Sequence, residues 1–327
     1  MRIGLTYDIQ LNPADEKQAE FDPPATLDAL QGALETLGHQ VVRLGSAHQL
    51  LAQPSSVQLV DLVFNIAEGS HGRCREAWVP MLLEQWGVPF IGSGWSAQAL
   101  GLDKVMSKRL AQASGLPTPS FCVIQEPSQC ANALELGFPL IVKPRYEGSG
   151  LGISPASVVH DLDSLQKRTA WLLQKFSQPC LVEQFIPFGE LTVFLIGNEP
   201  PQALPAIQRP IDPESRLSCH VARREDSNHW LSPLDLTPQL DAAACKMAMS
   251  VFQALRCRDM ARVDFRVDDK GKIYFLEINP LPSFDPEGSL GLLADYLGVT
   301  YAQLVGQILN AGLLRLGLPL ASSAVSV

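Results

Sequence analysis

The chain has 327 residues, enough for two or three domains and a large core, and its 46% hydrophobic and 18% charged content excludes a disordered protein. With 34 acidic against 25 basic side chains, the formal net charge of −9 excludes a general basic surface for nucleic acid or an anionic membrane, though not a local basic pocket. Seven cysteines, at 74, 122, 130, 180, 219, 245 and 257, form no C-x-x-C pair, which predicts reduced thiols in a cytoplasmic protein and neither a disulfide framework nor a zinc site.

The N-terminus opens directly into a strand, Ile3–Tyr7, with no charged and apolar leader, and no apolar run reaches membrane-spanning length. A helix over Ala25–Leu37 follows, with Leu27, Leu30, Leu34 and Leu37 on one face and Gly38 as its stop. Next come a strand at Val41–Leu44, an apolar strand at Leu59–Asn65 with a polar loop from Glu68 to Arg73, a helix from Glu76 to Trp86, and a short strand at Val88–Ile91. Strand–helix alternation predicts a parallel α/β sheet with ligands at the carboxyl ends of its strands, near Tyr7–Asp8 and Glu68–Arg75. A helix at Asp103–Ser114 opens a second region, followed by the apolar stretch Phe138–Pro144, a glycine-rich loop and a strand at Leu181–Ile186. The remainder predicts a strand at Glu190–Ile196, a helix near 240–255, a hairpin, a helix near 301–316, and a frayed tail over Ala321–Val327. The expected boundaries are 1–102, 103–190 and 191–327.

Three stretches carry chemistry. In Glu147-Gly148-Ser149-Gly150-Leu151-Gly152, three glycines in five positions let backbone N–H groups close on phosphate oxygens. No Gly-Lys-Ser/Thr follows and G-x-G-x-x-G is absent, so it is neither a P-loop nor a dinucleotide fingerprint, and an ordinary flexible turn is the competing reading. Lys143 ends the preceding apolar strand, where a compact cation suits a phosphate. Glu183 and Glu190 bracket Gln184-Phe185-Ile186, an apolar strand edge able to read adenine, with a carboxylate for ribose hydroxyls.

The hairpin Arg262–Pro280 is the most specific feature. Ala261, Val263, Phe265 and Val267 alternate with Arg262, Asp264, Arg266 and Asp268. A two-residue turn at Lys270-Gly271 sets Arg262 opposite Asn279 and Asp264 opposite Glu277, so these four project together. Val263, Phe265, Val267, Tyr274, Leu276 and Ile278 then form the core face, with Ile273 and Phe275 on the polar side. Three oxygen-bearing side chains beside one guanidinium suit a Mg²⁺–phosphate site. A solvated sheet face is the alternative.

In order, Leu102-Asp103-Lys104, Lys143-Pro144 with Glu147-Gly148-Ser149, Leu181-Val182-Glu183, Arg262-x-Asp264 and Glu277-x-Asn279 resemble the ATP-grasp superfamily, and more closely its D-alanine–D-alanine ligase-like branch, over about residues 59–300. The resemblance implies an ATP-grasp fold of three subdomains: a parallel α/β domain, a central ATP-binding domain, and a C-terminal domain with the metal hairpin, α+β in its ATP-binding half. It implies an ATP-dependent ligase working through an acyl phosphate on small amino acid or carboxylate substrates, and a homodimer. By position, Lys104 and Lys143 would contact phosphates; Glu183, Gln184, Phe185, Ile186 and Glu190 would hold adenine and ribose. Asp264, Glu277 and Asn279 would bind Mg²⁺, with Mn²⁺ able to substitute. Arg262 would stabilise the transferring group, Ser149 would approach the substrates, and Ser289-Leu290 would take an acceptor carboxylate.

The resemblance weakens where substrates bind. No N-terminal glutamate for the first amino group stands out among Asp8, Glu16 and Glu20. The loop from Glu68 carries Arg73 and Arg75, which fit a carboxylate bidentately or pair with Glu68 and Glu76. The lid stretch Ser215–Arg224 offers Arg223 or Arg224 to a phosphate. Three readings follow: D-alanine–D-alanine ligation, a natural-product ligase joining other amino acids or a small acid, and a non-catalytic ATP-binding protein.

Overall fold

The computed structural model describes residues 1–218 and 231–321. Its first sheet is parallel, in the order β2-β1-β3-β4, from β1 (Arg2–Tyr7), β2 (Gln40–Gly45), β3 (Leu62–Ile66) and β4 (Phe90–Ile91). Helix α1 (Pro24–Thr36) buries Leu27, Leu30 and Leu34 against Ile3, Leu5, Leu62 and Phe64. Val63 points to the opposite face, where Leu50 of α2 (Ala47–Ala52) and Val79 and Leu83 of α3 (Trp78–Trp86) cover it. Both faces are therefore buried, as a parallel sheet requires. The strand order reverses between β1 and β3, and the loops after those strands, holding Asp8 and Glu68, open at that switch point.

After α4 (Trp95–Leu102) and α5 (Lys104–Ala113) comes a second, antiparallel sheet, β5-β8-β6-β7, from β5 (Phe121–Ile124), β6 (Leu140–Pro144), β7 (Val158–Val159) and β8 (Cys180–Gln184). Leu140, Val142, Cys180 and Val182 face α6 (Leu162–Phe176). The alternate residues Ile141, Lys143 and Glu183 face a cleft. A third antiparallel sheet joins β9 (Gly189–Gly197), β10 (Pro201–Ala203), β11 (Ile207–Arg209), β12 (Met260–Val267) and β13 (Ile273–Asn279), with α7 (Pro238–Ala254) packed beneath Leu191, Val193, Val263 and Phe265. Helices α8 (Ser289–Leu297) and α9 (Tyr301–Leu316) return to the first sheet, where Leu293, Leu304, Ile308 and Leu309 join the cluster of α1. The six described cysteines are free, and no single described helix is long and apolar enough to cross a membrane.

The β12–β13 hairpin departs from the regular form that alternation predicts. Arg262 pairs with Asn279 and Asp264 with Glu277, as the spacing predicts. Beyond Asp264 the register slips by one, Phe265 lies opposite Phe275, and Leu276 is the extra residue of a β-bulge. Ile273 and Phe275 therefore enter the core, and Tyr274 and Leu276, expected there, do not. The cause lies in the turn. Asp268 N donates to the Lys272 carbonyl and Gly271 N to the Asp268 carbonyl, each at 3.1 Å, with Gly271 at φ 79°. The Asp268 carboxylate also accepts from Lys270 N and Lys272 N, both at 2.9 Å. This is a three-residue loop with a left-handed glycine, in place of the two-residue turn. It shifts the pairing by one residue, and the bulge restores the register at the site.

Candidate active site

A cleft of about 1040 Å³ lies between the second and third sheets and runs to the loops of the first. Lys143 and Glu183 line one wall and Glu190, Thr192, Arg262, Asp264, Glu277 and Asn279 the other. Lys104, the first residue of α5, bridges them. Asp103 caps that helix, accepting from Val105 N at 3.0 Å and Met106 N at 3.2 Å, and holds Arg145 bidentately at 2.6 and 2.7 Å. The Lys104 ammonium thus reaches the Glu277 carboxylate at 3.1 Å and the Glu147 carbonyl at 2.7 Å. Burial would raise the Glu277 pKa, but Lys104, Lys143 and Arg262 outweigh it and hold it at about 2. Asp264 receives Arg262 at 2.9 Å, Thr192 Oγ1 at 2.7 Å and Asn279 Nδ2 at 3.3 Å.

Beneath these lies a buried triad absent from the sequence reading. One Glu183 oxygen takes a short contact from the Lys143 ammonium, and the other lies 2.8 Å from that of Lys108. Burial would raise the Glu183 pKa, yet the two lysines hold it below the usual carboxylate range. Lys108 also reaches Thr118 Oγ1 at 2.9 Å and the Phe275 carbonyl at 3.3 Å. Its signal was available: Lys104 and Lys108 are i and i+4 on one helix face.

The expected adenine wall is present but engaged. Gln184, Phe185 and Ile186 line the cleft. Gln184 N donates to the Ser120 carbonyl and Phe185 N to that of Pro139, while the Ile186 carbonyl accepts from Arg266 Nε at 2.7 Å. Glu190 receives Arg266 at 3.0 Å. Glu183, read as a ribose or adenine contact, is directed into the lysine triad. Ser149 lines the cleft at φ 47°, beside Gly150 at φ 70°, in a left-handed turn that a non-glycine residue seldom adopts.

The expected substrate residues separate. Glu68 and Ser289 line the cleft. Arg73 is exposed and does not line it. Arg75 is buried, but its guanidinium is held by Glu20 at 2.5 and 3.0 Å, the Tyr146 carbonyl at 2.9 Å and Glu147 at 3.6 Å, not by Glu68 or Glu76. It clasps the N-terminal loop to the glycine-rich loop, so it is not free to receive a substrate carboxylate. Leu290, expected beside Ser289 at an acceptor carboxylate, does not line the cleft; its side chain is buried in the core with α9. Arg223 lies outside the described residues. Of the three N-terminal acids, Glu20 lines the cleft and also accepts from Gly148 N at 2.6 Å, whereas Glu16 pairs with Lys175 and Asp8 accepts from Gly69 N.

Two antiparallel sheets that close on a cleft, with lysines on one wall and a carboxylate–guanidinium patch on the other, define a phosphoryl-transfer enzyme of the ATP-grasp class. A family model, D-ala D-ala ligase C-terminus, matches residues 110–310. The D-alanine–D-alanine ligase of Alcanivorax borkumensis is 35% identical over 75% of this chain and 76% of its own length. An uncharacterized protein, y4sG, of Sinorhizobium fredii is 31% identical over 86% of each chain. The fold is shared with the D-alanine–D-alanine ligase from Bacillus anthracis complexed with ATP, at a TM-score of 0.74 and 24% identity over 97% of this chain and 98% of that one. The chain belongs to the D-alanine–D-alanine ligase family of ATP-grasp enzymes.

Proposed function

We propose that the protein is an ATP-dependent ligase that joins a carboxylate to an amine through an acyl phosphate. The observation that carries this reading is the meeting of Lys104 and Lys143 with the Arg262, Asp264, Glu277 and Asn279 patch across one cleft. A substrate carboxylate oxygen attacks the γ-phosphorus, the bond to the β-bridging oxygen breaks, and ADP leaves. The amine then attacks the acyl carbonyl, the carbonyl-to-phosphate oxygen bond breaks, and phosphate leaves with its electron pair.

In this scheme Lys104 and Lys143 hold the phosphates and Arg262 faces the transferring group. Ser149 and the glycine-rich loop close over the reacting centre and exclude water, against which an acyl phosphate needs protection. Asp264, Glu277 and Asn279 fit Mg²⁺, with Mn²⁺ as substitute: all three are oxygen donors, and Glu277 is held ionised. When bound, the cation would neutralise phosphate charge. Arg262 and Lys104 now sit against those carboxylates at 2.9 and 3.1 Å, which supports a patch built for positive charge.

D-Alanine paired with D-alanine is the reference reaction, since it names the relatives. A ligase of natural-product assembly, joining other amino acids or a small acid, is the second reading. The enzyme is taken to be cytoplasmic and homodimeric, the latter tested by sedimentation. The deciding experiment measures phosphate release from Mg²⁺-ATP against pairs of D- and L-amino acids, with products read by mass. Turnover that Glu277→Gln abolishes, without unfolding the chain, is expected. ATP binding with no phosphate release on any pair would make the protein a non-catalytic nucleotide binder.

A further inference from the structure

Where the loops of the first sheet and the loop before α8 meet the cleft, it is lined by Glu20, Asp22, Glu68, Glu76 and Asp285. Glu20 is neutralised by Arg75 at 2.5 Å. Asp22 and Glu76 are different: they are only 7% and 8% exposed, both line the cleft, and among the described residues no hydrogen bond or ion pair reaches either carboxylate. Buried carboxylates are ordinarily paired. These two face the cavity instead.

Their positions are fixed by the fold. Asp22 precedes α1, and its backbone is pinned on both sides, Asp22 N to the Asp8 carbonyl at 3.2 Å and Gln10 N to the Asp22 carbonyl at 2.8 Å. Glu76 follows β3 in the turn that enters α3. Both belong to the loops after β1 and β3, where the strand order of the first sheet reverses. Glu76 lies among Arg75, Glu20, Lys104 and Glu277, toward the reacting end, and Asp22 lies toward Asp285 and Asp8. No three His, Cys, Asp or Glu side chains among the described residues converge closely enough to hold a metal ion. Separated carboxylates suit ammonium groups, each of which brings three donors.

We propose that one of the two substrates is a diamino acid, whose two ammonium groups are received by Glu76 and Asp22. This rests on the ligase reading for the presence of a substrate here, and deepens it by naming the substrate class. Burial and repulsion by Asp285 and Asp8 push the ligand-free Asp22 up to about 7, a repulsion that a bound cation relieves.

The test is calorimetric titration of the full chain, held with Mg²⁺ and a non-hydrolysable ATP analogue. The titrants are alanine, 2,3-diaminopropionate, ornithine and lysine in both configurations, and separately Ca²⁺ alone. At least one diamino acid is expected to bind tenfold or more tightly than alanine of the same configuration. In Asp22→Asn that advantage should fall to within twofold. Alanine binding as tightly as every diamino acid, no amino acid binding, an advantage that survives Asp22→Asn, or Ca²⁺ displacing the diamino acid would each overturn the proposal. Phosphate release with paired D-alanine tests the ligase reading separately, because binding here needs no turnover.

Discussion

Replacing Lys108 by Met removes the least accessible member of the lysine–glutamate triad while keeping nearly the same volume. Lys108 is 0% exposed and Glu183 1%. The change deletes a 2.8 Å ion pair and two hydrogen bonds, at 2.9 and 3.3 Å, and leaves one Glu183 oxygen and the Phe275 carbonyl without that donor. Breaking a buried pair by removing one partner destabilises by about 3–5 kcal/mol, because the remaining charge is uncompensated. Since Lys143 still holds Glu183, the lower half of that range applies. The assay is urea denaturation followed by circular dichroism at pH 7. Adding Glu183→Gln should recover part of the loss, which a double-mutant cycle reads as coupling. The Glu183 pKa is depressed in the folded state, so its contribution is present above the ordinary value of 4.5 and lost as pH falls through the depressed value. A Lys108→Met loss under about 1 kcal/mol would refute the view that this triad is a buried, charge-compensated support for Lys143.

Two further outcomes follow from buried acids. Asp259, 0% exposed at φ 65°, receives Arg315 at 2.7 and 2.8 Å, Asn198 Nδ2 at 3.0 Å and Gly92 N at 2.9 Å, joining the first sheet, the third sheet and α9. Asp259→Asn keeps a residue tolerant of that backbone but removes the charge opposite Arg315, and should lower stability by about 3 kcal/mol in chemical denaturation. Asp22 behaves oppositely. Its folded pKa of about 7 lies above the ordinary 3.8, so the stability it gives is full below the ordinary value and is lost as pH rises through 7. Asp22→Asn should therefore raise the melting temperature of the ligand-free protein most at pH 8, less at pH 5, and leave it nearly unchanged at pH 3; equal shifts at all three would exclude the titration.

The sequence makes the one-sided chemistry of the third sheet legible because side-chain period alone places Arg262 with Asp264 and Glu277 with Asn279. It does not make the bulge at Leu276 legible, because Ile273-Tyr274-Phe275-Leu276 is apolar at every position and so fits either register. The slip comes from Asp268 capturing two backbone N–H groups in the turn. Lys108 was readable as an i+4 partner of Lys104, but nothing local says that Glu183, 75 positions later, lies between Lys108 and Lys143. Arg75 offered a choice between a ligand and a neighbour, and the partner the fold supplies, Glu20, is 55 positions away. The burial of α9 on α1 is likewise a long-range contact that no window of the chain contains.

The central claim is that a substrate carboxylate accepts the γ-phosphoryl group. Ligation with Mg²⁺-ATP and a substrate labelled with ¹⁸O in its carboxylate tests it directly. Acyl-phosphate formation predicts one ¹⁸O atom in each released phosphate, with ADP as the nucleotide product. Unlabelled phosphate, or AMP with pyrophosphate, would contradict it.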